Sequence, residues 1–256
     1  MRRLYLRWLG LLVFVVVLGV TFVNLGEWQL RRLDQRRESN ATVIENSGRA
    51  PVPYADVADR PVTDADEWQQ VTVTGTFDGD QFIVRYRSND DLPGVEVVAP
   101  LTTTDGTQVL IDRGFLAVGR GEPIPASAPP LPDGEVTLTA HLRPNETGRE
   151  NAMVPVEGQM RLINSDALGT AVGHPLADGY LSVVEIDPPQ EGEFTPISLP
   201  ELSEGPHLGY ALQWFLFAGI AVVGLVVFIR GDIVERRRTS ATDTSHQPST
   251  STEQEH

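Results

Sequence analysis

The 256-residue chain has no cysteine and no lysine; all 20 of its basic residues are arginine. Without cysteine there is no disulfide, no thiolate zinc or copper site, no CxxCH haem attachment and no cysteine nucleophile. Without lysine an SxxK catalytic pair is impossible, and no GxSxG elbow, HExxH pair or P-loop is present either. Basic residues are also scarce beside the 35 acidic ones, for a net charge of −15. Phosphate binding needs a basic surface, so a nucleic-acid partner is excluded. The lysine-free, acidic bias is read first as the composition of a high-GC or salt-adapted host. The length is that of one or two domains.

Charge is missing altogether from two long runs. The first, Leu9 to Leu25, follows Arg2, Arg3 and Arg7 and ends in "FVNLGEWQ". It is long enough to cross a bilayer and lacks the small-x-small end of a cleaved signal peptide, so we read an uncleaved anchor. The second, Leu208 to Ile229, follows the acidic "PELSEGP" and precedes Arg230 and "ERRR" at 235–238. The arginine bias predicts a cell-membrane protein with both termini cytoplasmic and the central region extracytoplasmic. The expected organisation is a cytoplasmic N-terminus (1–8), transmembrane helices at 9–25 and 208–229, an extracytoplasmic β-rich domain at 26–207, and a disordered cytoplasmic tail at 230–256. That tail, poor in apolar residues, holds His246 and His256 and predicts no role for them. Four arginines (31, 32, 36 and 37) stand just outside the first span, against the positive-inside tendency. Either Glu27, Asp34 and Glu38 offset them, or they meet an anionic group.

Between the spans, "WQQVTVTGTF", "QFIVRYR", "VEVVAPL", "TQVLIDRGFLAV" and "EVTLTAHLRP" are short β-branched or alternating segments separated by "FDGD", "TTDG" and "LPDG". This predicts strands of an antiparallel β-sandwich or barrel-like α+β domain flanked by two transmembrane helices. "INSDALGTAVG" predicts a short helix capped by Ser165 or Asp166. Residues 39–67 and 121–134 read as proline- and polar-rich connectors. His141 and His174, lacking a second ligand at helical spacing, read as surface or turn residues.

With both chain ends inside, "LGEWQLRRL" and "HLGYALQWF" lie at one membrane face. Helical spacing puts His207, Tyr210, Ala211, Trp214 and Ala218 on one side of the second helix, and Trp28, Arg31, Arg32 and Gln35 on one side of the first. Two readings are open for these residues. Tryptophan and tyrosine form the ordinary interfacial belt; alternatively, an imidazole and arginines serve a haem iron and its carboxylates.

Three segments in order resemble the surfeit locus protein one (Surf-one) family of cytochrome c oxidase assembly factors. "LGEWQLRRLDQR" is similar to the family's LGxWQxxRxxxK element, "LPGVEVVAPLTTTDGTQVLIDRGFLAVGR" to its central PL-strand and RGW pattern, and "HLGYALQWFLFA" to its HLxYAxQWFxxA entry to the second span. Phe115 stands where the family usually has tryptophan, and Arg36 where it has lysine. The resemblance implies a non-enzymatic, membrane-anchored assembly factor that binds haem a and assists its insertion into the oxidase catalytic subunit. Carried over to the matching positions, it implies His207 as ligand of the haem iron. Arg31 and Arg32 would pair with the propionates, and Trp28, Trp214 and Tyr210 would line the cofactor. The implied partners are the catalytic subunit, membrane lipid and haem-synthesis enzymes. The alternative it leaves is a haem-free membrane scaffold stabilising an oxidase subunit.

Overall fold

The computed structural model describes residues 2–77, 79–119 and 121–244; His246 and His256 lie outside the described residues. The chain divides into two compact units. One joins the two ends of the chain (Met1–Arg37 with Ser203–His256), and the other is Glu38–Leu202.

The first unit consists of the part of helix α1 (Arg2–Ser47) up to Arg37 and, at the other end of the chain, helix α4 (His207–Thr244). Both contain a stretch long and apolar enough to span a membrane. Each outruns its expected span. Between Gly26 and Gly48 there is neither glycine nor proline, and leucine, arginine, glutamine and glutamate favour helix there, so α1 continues to Ser47. Residues 39–47, expected as connector, are therefore helical. Helix α4 continues beyond Ile229 to Thr244, through residues expected to be disordered.

Among its described residues the second unit carries eight strands: β1 (Val52–Pro53), β2 (Gln70–Phe77), β3 (Phe82–Asn89), β4 (Leu92–Thr103), β5 (Gln108–Ala117), β6 (Glu135–Arg143), β7 (Gln159–Met160) and β8 (Tyr180–Asp187). Two short helices, α2 (Glu150–Met153) and α3 (Ser165–Val172), lie between β6 and β8. Strands run β2-β6-β8-β5-β4, and β4 returns to β2 through Gly75↔Thr103, Thr76↔Thr102 and Phe77↔Leu101, closing a five-stranded barrel. Only the β5–β8 seam of the barrel is parallel. The expected strand set omits β8, on which closure depends.

Side chains alternate across a strand. Val71, Val73, Ala99, Leu101, Val109, Ile111, Leu138, Ala140 and Leu181 fill the barrel interior. On the other face of β4, β5 and β8, Val98, Leu110 and Tyr180 pack against Phe82, Val84, Ile163, Leu168 and Leu176. Strands β4 and β5 are thus buried on both faces, so their sequences read as nearly continuous apolar runs rather than as alternation. Helix α3 is capped by Asn164, not Ser165 or Asp166: the Asn164 Oδ1 accepts the Ala167 N–H at 2.9 Å.

Candidate functional site

In the helical unit, the contacts of α1 and α4 define an antiparallel pair. At one end the Trp8 Nε1–H donates to Asp232 Oδ2 (2.9 Å). At the other, His207 Nδ1 lies 2.8 Å from Gln29 Oε1. An amide oxygen can only accept, so the ring nitrogen donates. Beyond these, Arg37 donates to both carboxylate oxygens of Glu204, at 2.9 and 3.0 Å. Those bonds hold the Glu204 carboxyl below the ordinary carboxylate range. Trp8 and Gln29 are separated by roughly 32 Å of helix at 1.5 Å per residue, close to a bilayer core.

Between the ends, Phe22 stacks on Trp214 (centroids 5.6 Å) and packs on Phe217 (5.8 Å). Ala211 is buried at 1 % exposure. A side chain at Gly26 would meet the Phe215 ring 2.7 Å from its Cβ, so the helices approach closely there. Small residues allow such an approach. The facing residues on α1 are thus Phe22, Gly26 and Gln29; on α4 they are His207, Ala211 and Trp214.

This seam divides the residues singled out in the sequence. His207 and Trp214 face α1. Trp28 and Tyr210 are both 48 % exposed. At 100° per residue, and with the helices antiparallel, Trp28 and Arg32 of α1 fall on the same flank of the seam as Tyr210 and Gln213 of α4. Gly26 and Phe215 fall on the opposite flank. Arg31 lies about 160° from the seam by the same rotation, on the outer face of α1, where it pairs with Glu27 at 3.8 Å. Arg32 bonds only the neutral Gln35 (3.0 Å) and has no carboxylate partner among the described residues. Of the four arginines that follow the first apolar run (31, 32, 36 and 37), two are therefore matched by acids, Arg31 by Glu27 and Arg37 by Glu204.

The donor set suits a flat, anionic metalloporphyrin. With its proton on Nδ1, the neutral His207 ring carries its lone pair on Nε2. Gly205 lies beside that atom: a Cβ there would stand 3.6 Å from Nε2 and 3.4 Å from Cδ2, so a side chain at 205 would crowd it. Arg32 can pair with a carboxylate in a fork, and Trp28 and Tyr210 offer aromatic surface on the same flank.

The β-domain holds two buried polar groupings; the sequence singled out the RGF element of the first but not its burial, and missed the second. In the first, Arg113 is 1 % exposed. Its Nε donates to Gln190 Oε1 (2.9 Å), Nη1 to Gln81 Oε1 and to the Pro129 carbonyl (2.8 Å), and Nη2 to the Pro130 carbonyl (2.9 Å). The Phe194 ring lies 4.6 Å from the guanidinium carbon. No carboxylate pairs with it among the described residues, and burial lowers its pKa to about 10. Gly114 follows at φ +123°, where a Cβ would stand 2.9 Å from the Thr195 carbonyl oxygen. Phe115 exchanges backbone hydrogen bonds with Thr195, 2.9 Å each way. The "RGF" element is a clasp joining β5 to the 129–130 and 190–195 segments.

In the second, Arg87 pairs with Glu96 (2.9 Å) and Glu146 (2.8 Å), and Arg143 with Glu67 (3.1 Å) while lying 3.9 Å above the Trp68 ring. Asp112, 1 % exposed, accepts from Ser182 Oγ (2.8 Å) and the Gly114 N–H (3.1 Å). Burial pushes Asp112 up, and burial together with the charge of Asp112 pushes Glu96 up to about 8 against the opposing pull of Arg87. His141, expected at the surface, is buried on β6 against Trp68, with ring centroids 5.5 Å apart. It lies on the barrel's outer face, which Trp68 covers, and burial lowers its pKa. The sequence signal was available: "RYR" places Arg85 and Arg87, and "HLR" places His141 and Arg143, two residues apart within expected strands.

Two apolar helices able to span a membrane and a closed five-stranded barrel between them define a membrane-anchored β-domain protein. The SURF1 family model matches residues 16–219, and the chain belongs to the SURF1 family. It is 33 % identical over 242 residues to SURF1-like proteins of Mycobacterium bovis and Mycobacterium tuberculosis, covering 91 % of this chain and 88 % of theirs. A SURF1-like protein of Rickettsia conorii is 25 % identical over 240 residues, covering 90 % of this chain and 93 % of its own length. The family is one of oxidase assembly factors rather than of catalysts, which associates this chain with cytochrome c oxidase assembly.

Proposed function

We propose that this protein captures haem a at the outer membrane face and assists its insertion into the oxidase catalytic subunit. His207 Nε2 is the iron ligand. Arg32 pairs with propionate, and Trp28, Tyr210 and Trp214 supply the apolar surround. Both termini are cytoplasmic and the barrel extracytoplasmic, as the arginine distribution favours. The barrel is the part that meets the oxidase subunit. One observation carries the reading: His207 is held by Gln29 beside an arginine without a carboxylate and two half-exposed aromatic residues on one flank. When bound, haem supplies the iron centre. The chain's own residues bind it, orient it and shield its faces from water.

The test is purification from a host making haem a. A haem absorbance in the wild type that disappears in His207→Ala supports the reading, and one that persists unchanged removes the ligand role. A haem-free protein that still co-purifies with the oxidase subunit supports the scaffold instead. That second reading is favoured by the interfacial position of Trp28 and Tyr210, which suits lipid contact alone.

A further inference from the structure

We propose that Gln29 is the positioning residue of His207, selecting the tautomer that leaves Nε2 open. The inference rests on the reading of His207 as a metal ligand and deepens it. An uncharged histidine side chain in water favours its proton on Nε2, the nitrogen proposed here to ligate. Such a ring must move its proton before Nε2 can bind a metal. The hydrogen bond made by one ring nitrogen decides the state of the other. Gln29 Oε1, 2.8 Å from Nδ1, demands a proton there and so clears Nε2.

Three features make Gln29 suited to this. It is an amide, which has no ionisable group and accepts through its oxygen at every pH. It comes from α1, whereas the histidine comes from α4, so the ring is oriented only when the two helices pair. It also sits in the seam one turn from the close approach of Gly26 to Phe215, where the backbones have little freedom to part. The helix pair thus prepares the ligand before any haem arrives. Outer hydrogen-bond partners of metal-binding histidines typically account for 10- to 100-fold in affinity.

The experiment uses the full chain in detergent, with histidine labelled by 15N in both ring nitrogens. Nitrogen NMR is recorded well above the ordinary histidine range, and the His207 signals are identified by their loss in His207→Ala. The wild type should show protonated Nδ1 and bare Nε2. Gln29→Leu should move the proton substantially to Nε2, whereas Gln29→Glu, which keeps an acceptor, should retain the wild-type pattern. Far-UV circular dichroism confirms that the helices persist in each variant. An unchanged tautomer in Gln29→Leu overturns the proposal.

Titration with ferric protoporphyrin gives a second readout. Affinity should fall about 10- to 100-fold in Gln29→Leu and by much less in Gln29→Glu. Equal affinity in wild type and Gln29→Leu also overturns the positioning role, while leaving His207 as ligand. A tautomer shift in Gln29→Leu together with no haem binding by the wild type supports the tautomer assignment and refutes the ligand reading above. The two failures are therefore separable.

Discussion

Replacing Arg113 with methionine should destabilise the β-domain by about 2 kcal/mol. The side chain is unbranched, so volume is roughly kept, but four acceptors lose the guanidinium: Gln81 Oε1, Gln190 Oε1 and the carbonyls of Pro129 and Pro130. Gln190 can turn its amide elsewhere, and the Pro129 carbonyl keeps the Gln81 Nε2–H at 3.1 Å. The Pro130 carbonyl is left stranded at a cost of about 1–3 kcal/mol, and the lost bond to Pro129 adds about 1 kcal/mol. Against that loss of roughly 2–4 kcal/mol stands a recovery, because a guanidinium without a carboxylate no longer has to be desolvated. The net lies at the lower end of the range. For a domain of this size about 1 kcal/mol moves Tm by roughly 2–4 °C, so Tm should fall by about 4–8 °C. The assay is thermal unfolding of the full chain in detergent, followed by the fluorescence of Trp68 after Trp8, Trp28 and Trp214 are replaced by phenylalanine. Arg113→Lys should restore little, since a compact ammonium cannot reach oxygens arranged around a planar fork. Melting of Arg113→Met within about 2 °C of the parent would refute this account of the clasp.

Three further outcomes follow from the same packing. Glu96 has a folded-state pKa raised from the ordinary carboxylate value to about 8. The native state therefore holds its proton more tightly than the unfolded chain, and the contribution of Glu96 to stability should decline from about pH 4.5 to about pH 8 and level off above; Glu96→Gln should remove that part of the slope in urea titrations, leaving the opposed contributions of Asp112, raised by burial, and His141, lowered by burial. Asp66 is shifted the other way, held well below the ordinary range by Arg60, so its contribution is lost only in acid and does not blur the first window. Gly114→Ala should lower domain stability by about 1–3 kcal/mol, because a side chain at φ +123° is strained and its Cβ meets the Thr195 carbonyl; unfolding unchanged from wild type would contradict it. Ala211→Leu should force α1 and α4 apart, lengthening spin-label distances between the helix ends while leaving Trp68 fluorescence untouched.

Both spans are visible as charge-free runs, and β2 to β6 as alternating or β-branched segments, because these signals are local. What the sequence conceals is long-range. Closure of the barrel rests on three residue pairs between β2 and β4, and β8 joins β5 in parallel across some seventy residues of intervening chain; nothing local specifies either. Strand β8 itself carries a β-branched run between Gly179 and Pro188, the same signature as its neighbours, so its omission reflects reading rather than physics. At the helix pair, the common membrane face of the two motifs was legible, but its rotation was not. Trp28, Arg31, Arg32 and Gln35 share the spacing of a helical face, yet close approach at Gly26 turns Gln29 toward α4 and sends Arg31 outward. The buried acids were hidden for the opposite reason: carboxylates are so numerous in this chain that Asp112 and Glu96 stand out only once burial is known.

Strand β3 hydrogen-bonds β4 along one side, but its other side is covered by β7 only at Ile83 and Val84. Beyond them the ladder shifts register, Tyr86 takes a left-handed φ of +62°, and Arg85 and Arg87 flank it. An incoming strand from another molecule would find no regular row of donors and acceptors there, and would have to bury a cation to continue. The same irregularity that lets Arg87 reach Glu96 and Glu146 therefore makes this open edge a poor template for aggregation.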